Sequence, residues 1–311
     1  MTSDTRLDQV AGAIPPHAWF GVSAVFHYLG PSFAVLLFPM VGVLGVAWFR
    51  IASAAIVFVP ITKPWRTFRK STNRERILLL ALGGCLAVMN SAFYLALDRL
   101  PIALVAAIEF VGTIAIALWG LRTGRNLIAL AVAIIGVALL IDVPSLLAAD
   151  GAALNSDLVG LFWALLNGAL FVLYIVLGHK ISEGGASGGV ERLGAAMTAA
   201  FIFVMPIGFL QALEACGAPL LVLAGIGVGI CSSVIPYVCD QLAMSRLPRA
   251  SFAFLLALLP ATATIIGVIV LRQIPSAVDV FGVALVMVGV AVHRLAPMPN
   301  VAGTSPQDGR T

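Results

Sequence analysis

The stretch Asn90–Trp119, NSAFYLALDRLPIALVAAIEFVGTIAIALW, decides the fold. It reads as the end of one apolar helix, a tight corner at Asp98-Arg99-Leu100-Pro101, and a second apolar helix. That second helix carries one carboxylate, Glu109, with no other charge between Arg99 and Arg122. The stretch Pro236–Ile265 repeats the pattern around Arg246-Leu247-Pro248, 147 residues further on. Two similar halves, both too apolar for water, follow from these two stretches.

Composition agrees. Of 311 residues, 61% are hydrophobic and 10% charged, with a mean hydropathy of +1.07. A soluble domain carries about 25% charged residues, because even a large core needs a polar skin. Repeated apolar runs of about 20 residues mark helices that cross a bilayer. A closed barrel would alternate apolar and polar residues, and these runs do not. The net charge of +4 and isoelectric point near 9.1 point to basic loops that set topology, not to nucleic acid. Cys85, Cys216, Cys231 and Cys239 lack C-x-x-C spacing and read as small fillers of apolar segments. The opening MTSDTRLDQVAGAIP carries Asp4 and Asp8 and no apolar core, so it does not read as a signal peptide.

The fold expected is all-α and integral to the membrane. Ten spans are expected, at 17–37, 44–62, 75–97, 102–120, 126–142, 158–178, 193–213, 219–240, 250–271 and 276–294. The division is a tail at 1–16, a five-helix repeat at 17–142, an outer loop at 143–157, a second five-helix repeat at 158–294 and a tail at 295–311. With a cytoplasmic N-terminus, 15 of the 18 Lys and Arg residues fall on the inner side. Arg99 and Arg272 fall outside and Arg50 within a span, so both termini are expected in the cytoplasm. Five spans per half is an odd number, so the second half enters the membrane upside down. Inverted repeats of this kind recur in secondary transporters, with the substrate near the midplane between the halves. Gene duplication also makes membrane proteins that do not transport.

The residues Leu37–Arg66, LFPMVGVLGVAWFRIASAAIVFVPITKPWR, resemble the second-helix region of EamA-type drug/metabolite transporters, and more narrowly the bacterial threonine/homoserine exporter group. The matching pieces are Phe38-Pro39, Gly42, Gly45, Arg50 and Lys63-Pro64-Trp65-Arg66. Met89-Asn90, Phe93-Tyr94, Pro101, Ala107-Ile108-Glu109-Phe110, Pro236-Tyr237 and Arg246-Leu247-Pro248 match as well. The resemblance covers nearly the whole chain. It implies an inner-membrane exporter of amino acids or similar small metabolites, proton-coupled. In the ninth span the group usually carries a Glu before the Pro, whereas this chain has Leu259-Pro260. The first span also differs in its polar residues, His27, Tyr28 and Pro31.

Arg50 and Glu109 are the charges that need explaining. Each lies six or seven residues into its span from the outer end, or roughly 9–11 Å deep at 1.5 Å per residue. A charge at that depth costs on the order of 3 kcal/mol unless a partner or water meets it. Three readings stay open. The two form a buried pair that fixes helix packing, or Arg50 snorkels to the outer headgroups, or the site holds an amino acid. In the last, the Arg50 guanidinium takes the substrate carboxylate in a two-pronged contact. Glu109 takes the ammonium or exchanges a proton, since apolar surroundings suit a carboxyl that cycles through its neutral form.

Asn90 and Tyr94 share a helix face and either bind substrate or pack between helices. His27, near the middle of the first span, either relays protons or bonds a neighbouring helix. Asp240 stands at the inner end of its span, where interfacial water is expected to solvate it. His17, His179 and His293 sit at span ends and are expected to be solvated. Gly225, Gly227 and Gly229 permit close helix approach and are no phosphate cradle. Pro236 and Pro260 are candidate helix breaks lining a transport site. Trp19, Trp48, Trp65, Trp119 and Trp163 read as interfacial anchors. No cofactor and no metal are expected. The partners expected are a small-molecule substrate and membrane lipid. No nucleophile elbow or metal spacing suggests an integral-membrane enzyme. An exporter of drugs or organic amines is the rival within transport, and a channel is the rival outside it.

Overall fold

The computed structural model describes residues 14–120, 122–141, 151–181, 185–244, 247 and 255–292. The tails from 1 to 13 and from 293 to 311, residues 142–150 of the expected outer loop, Arg246, Pro248 and His293 lie outside the described residues. So do the side chains of Trp119 and His179.

The described residues form helices and turns and contain no strand. In chain order they are α1 (Pro16–Val41), α2 (Val43–Thr62), α3 (Pro64–Lys70), α4 (Asn73–Leu97), α5 (Ile102–Gly120), α6 (Gly124–Leu140), α7 (Gly151–Ile181), α8 (Gly185–Ala215), α9 (Pro219–Gly229), a π-helical turn (Ile230–Val234), α10 (Ile235–Met244), α11 (Leu259–Leu271) and α12 (Ala277–Val292). Six stretches are long and apolar enough to cross a membrane: α1, α2, α4, 155–178 of α7, 188–215 of α8, and 219–240 through the π turn. The apolar stretches in α5, α6, α11 and α12 are shorter.

Local chemistry sets the ends. Pro16 opens α1 and Pro64 opens α3, at positions where the missing N–H is an orphan in any case. Thr72 and Glu75 cap α4 reciprocally: the Glu75 N–H donates to Thr72 Oγ1 at 3.3 Å and the Thr72 N–H to Glu75 Oε2 at 2.7 Å. Ser276 and Asp279 do the same for α12, at 2.8 and 3.2 Å.

Several boundaries differ from the sequence reading; α8, for one, begins at Gly185 and not at 193. α1 runs through Pro39 to Val41 and stops at Gly42, whose φ of 79° few other residues adopt. A proline one turn from a helix end removes one hydrogen bond without ending the helix. The loop expected before α4 holds an added helix, α3, carrying Arg66, Arg69 and Lys70. α7 begins at Gly151, inside the expected loop 143–157.

Large apolar side chains face outward on many helices, among them Ile56, Ile128, Leu165, Leu210, Leu223 and Ile269. Such a coat suits acyl chains and not water. Between helices, small residues set the spacing. A Cβ at Gly136 would stand 2.6 Å from the Gly282 carbonyl oxygen, so α6 and α12 touch backbone to backbone. Gly225 and Gly229 likewise admit Phe49 and Ser53 of α2, while Gly227 faces open space.

The broad helix contacts are α2 on α8, α6 on α12, α5 on α11, α4 on α7 and α8, α1 on α10 and α11, α9 on α2, and α5 on α7. These place α1 and the π turn beside α2, α10 on α1, and α5 against α7.

Candidate functional site

Pro236 begins the site. A proline has no N–H, and its ring crowds the carbonyl four residues earlier, which here is Ser232. The chain answers by widening Ile230–Val234 into a π turn, with the Ile235 N–H reaching the Ile230 carbonyl. Ser232 and Ser233 are buried in that turn. Arg50 takes up what the turn exposes: its Nη2 donates to the Ser232 carbonyl at 3.1 Å and its Nε to Ser233 Oγ at 3.0 Å.

Arg50 is therefore inside the bundle, 4% exposed, and does not snorkel. Its guanidinium lies 5.2 Å from the ring centre of Tyr94 and 5.8 Å from that of Phe93, both on α4. Tyr94 is fully buried and its hydroxyl stands 3.4 Å from Ser232 Oγ. Two nitrogens of the guanidinium are thus fixed. The third, Nη1, is buried with no hydrogen-bond partner among the described residues.

Glu109 lies on α5 and is 3% exposed. Asn167 of α7 is alongside it, and its charge is felt at the Tyr28 hydroxyl of α1 and at Arg50. Yet Glu109 and Arg50 make no ion pair among the described residues, against the direct pair that equal depth suggested. The reason is packing: α2 lies broadly on α8 and α9, whereas α5 lies on α7 and α11. Glu109 Oε2, Tyr28 Oη and Asn167 Nδ2 are each buried without a hydrogen-bond partner among the described residues. An unmet buried polar group costs about 1–3 kcal/mol. Together with Arg50 Nη1, these atoms offer donors and acceptors of both charge signs.

Asn90 spends its Nδ2 on the Leu86 carbonyl of its own helix at 2.6 Å and lies beside the Tyr237 hydroxyl. His27 is half-buried, edge-on to Tyr28 with ring centres 5.2 Å apart, and within reach of the Arg50 charge. Leu255 and Leu256 are helical, Ala257 and Leu258 form a turn, and α11 starts at Leu259 with Pro260 in its first turn, so the expected span is interrupted just before Pro260. Leu259 before it is buried. Asp240 is not merely solvated: Ser23 Oγ donates to its Oδ1 at 2.6 Å.

Sequence reading missed Asn167, Ser232, Ser233 and Ser23. Only Ser232 and Ser233 had a signal, since Pro236 points four residues back to Ser232. A crevice of about 290 Å³ beside Pro101, Leu104, Gln273 and Asp279 is lined by none of the site residues. Among the described residues no group of His, Cys, Asp and Glu could hold a metal ion.

Comparison with known proteins gives the family. Residues 158–294 match the model of the EamA-like transporter family. The chain is similar to the threonine/homoserine exporter RhtA of Escherichia coli K12, 34% identical over 244 residues, or 78% of this chain and 79% of that one. It is also similar to the threonine/homoserine exporter RhtA of Salmonella typhimurium LT2, 31% identical over 258 residues, or 83% and 84%. One crystal structure of a protein superposes with a TM-score of 0.53 over 88% of this chain and 95% of its own, at 17% identity, a likeness of fold alone. With relatives this similar over four-fifths of their length, the chain belongs to the EamA-like transporter family and is a multi-pass membrane transporter, not an enzyme.

Proposed function

We propose that this protein exports amino acids of the threonine/homoserine kind, or related small metabolites, across the bacterial inner membrane by alternating access coupled to protons. The observation that carries the reading is the pair of unmet charged atoms, Arg50 Nη1 and Glu109 Oε2, buried within reach of each other's field but not bonded. An amino-acid zwitterion bridges such a gap. Its carboxylate meets the free edge of the Arg50 guanidinium, which Ser232, Ser233 and Tyr94 hold in place. Its ammonium meets Glu109, with Tyr28 and Asn167 at hand for a side-chain hydroxyl or amide. Asn90 and Tyr94 shape the site from behind Arg50 and Tyr237. Glu109 and His27 are the groups in this cluster that exchange protons.

The same reading takes the helices as ten spans in two inverted repeats, with both termini cytoplasmic. Exchanging the halves maps α1 to α7, α2 to α8, α4 to α9 and α10, α5 to α11, and α6 to α12. The contacts support this. α2 on α8, α5 on α11 and α6 on α12 map onto themselves, while α4 on α7 maps onto α10 on α1, and α5 on α7 onto α11 on α1. A cluster fed by both halves is suited to open to one side at a time.

Reconstituted protein tests the reading. Proteoliposomes are loaded with a panel of amino acids and flux is measured with and without a pH gradient. Saturable flux of small hydroxylated amino acids, accelerated by the gradient, is expected. Flux of amines alone, or flux that never saturates, overturns it.

A further inference from the structure

We propose that Asp240, with Ser23 and the Pro236 carbonyl, forms a second proton-binding site, separate from the Arg50–Glu109 cluster and joined to it by Tyr237. The inference rests on the transporter reading, but its chemistry is local.

Ser23 lies on α1, buried, facing α10. Its hydroxyl reaches two acceptors: Asp240 Oδ1 at 2.6 Å and the Pro236 carbonyl at 3.3 Å. A hydroxyl between two acceptors serves both states of the acid. When Asp240 is ionised, Ser23 donates to it. When Asp240 holds a proton, that proton is donated to Ser23 Oγ, and Ser23 turns its own hydrogen to Pro236. Neither state strands a buried polar atom, so a proton can come and go without rearranging helices. Asp240 makes no ion pair among the described residues that would hold it permanently charged. The polar and titratable groups around it are Ser23 from α1, Tyr174 from α7 with Cys85 of α4 behind it, and Tyr237 and Cys239 from α10 itself. None of these is a cation.

Tyr237 links the two sites. It feels the charges of Arg50, Glu109 and Asp240, and Asn90 lies beside its hydroxyl. Its ring lies 6.1 Å, centre to centre, from that of Tyr174. The preceding residue, Pro236, also joins both: its ring frees the Ser232 carbonyl for Arg50, and its own carbonyl receives Ser23. The cycle is balanced by one proton taken onto the Asp240 carboxylate from water and returned to water, with no other bond made or broken.

Infrared difference spectra of the full-length protein in liposomes, acidic minus alkaline buffer, test this without any substrate. In a Glu109→Gln background, which removes the band expected from Glu109 itself, the protein should show the C=O stretch of a protonated buried carboxyl. Adding Asp240→Asn should remove that band. Ser23→Ala should keep the band and shift its frequency, which serves as the check if Asp240→Asn misfolds. A spectrum without the band, a band that survives Asp240→Asn, or one that Ser23→Ala leaves unmoved overturns the proposal. Because no transported solute is needed, a failed amino-acid panel and a failed proton site are told apart.

Discussion

Arg50 is held by the Ser232 carbonyl, the one that Pro236 displaces from its helix. A buried guanidinium needs acceptors, and a helix interior normally has none left to give. The proline supplies one by removing its own N–H and widening the turn. Pro236→Ala restores a donor and a compact turn, and the Ser232 carbonyl returns to the helix. Hydrogen bonds to charged groups contribute about 1.5–3 kcal/mol, so substrate half-saturation should rise roughly tenfold or more. Transport kinetics on the folded, monodisperse variant check this, and an unchanged half-saturation refutes the link.

Arg50 and its chemistry separate the amino-acid reading from an amine reading. Arg50→Lys keeps the charge but lacks the fork that reaches Ser232, Ser233 and a carboxylate together. Amino-acid transport should fall about tenfold or more. Arg50→Ala should abolish it and spare any solute that lacks a carboxylate. Competition assays with an amino acid and its decarboxylated amine make the comparison directly. Equal loss for both would assign Arg50 to packing alone.

Glu109→Gln keeps the shape of a buried side chain whose Oε2 has no hydrogen-bond partner among the described residues. Removing an uncompensated buried charge does not destabilise a fold, so thermal stability should hold or rise. Proton-driven export should be lost. Wild-type export by this variant would remove Glu109 from the mechanism.

The isolated charges are legible in sequence because few features of an apolar run compete with them. Arg50 and Glu109 stand out, and both are buried. Their mutual geometry is not legible. Depth along a helix follows from counting residues, but which helices touch does not, and α2 and α5 face different neighbours. The Ser232 carbonyl leaves no mark of its own, since every residue has a carbonyl. Asn167 and Ser23 become site residues only through the register of α7 against α5 and of α1 against α10. Asp240 near a span end reads as solvated because its partner lies 217 residues away in the chain. α7 overruns its expected start because Gly151-Ala152-Ala153-Leu154 continues into the helix without a breaker.

Helix spacing yields a prediction about stability alone. α6 and α12 meet at Gly136 and Gly282, where a Cβ on either would press within 2.8 Å of the other's carbonyl. Gly136→Leu forces the pair apart and should cost about 1–3 kcal/mol. A lowered melting temperature in detergent is the readout. The Arg50 cluster lies on other helices, so substrate affinity of the surviving folded fraction should be unchanged.

Tyr28 offers the sharpest contrast between stability and activity. Its ring is fully buried, while its hydroxyl has no hydrogen-bond partner among the described residues and faces the charge of Glu109. In a purely structural role that hydroxyl is a liability, since an unmet buried polar atom costs about 1–3 kcal/mol. Tyr28→Phe removes the oxygen and leaves the packing, so the melting temperature should rise or hold. If the hydroxyl meets substrate, half-saturation for hydroxylated amino acids should rise several-fold at the same time, with little change for amino acids that lack a side-chain hydroxyl. A gain in stability with no kinetic change would place Tyr28 outside the site and leave Asn167 as the group that meets the side chain.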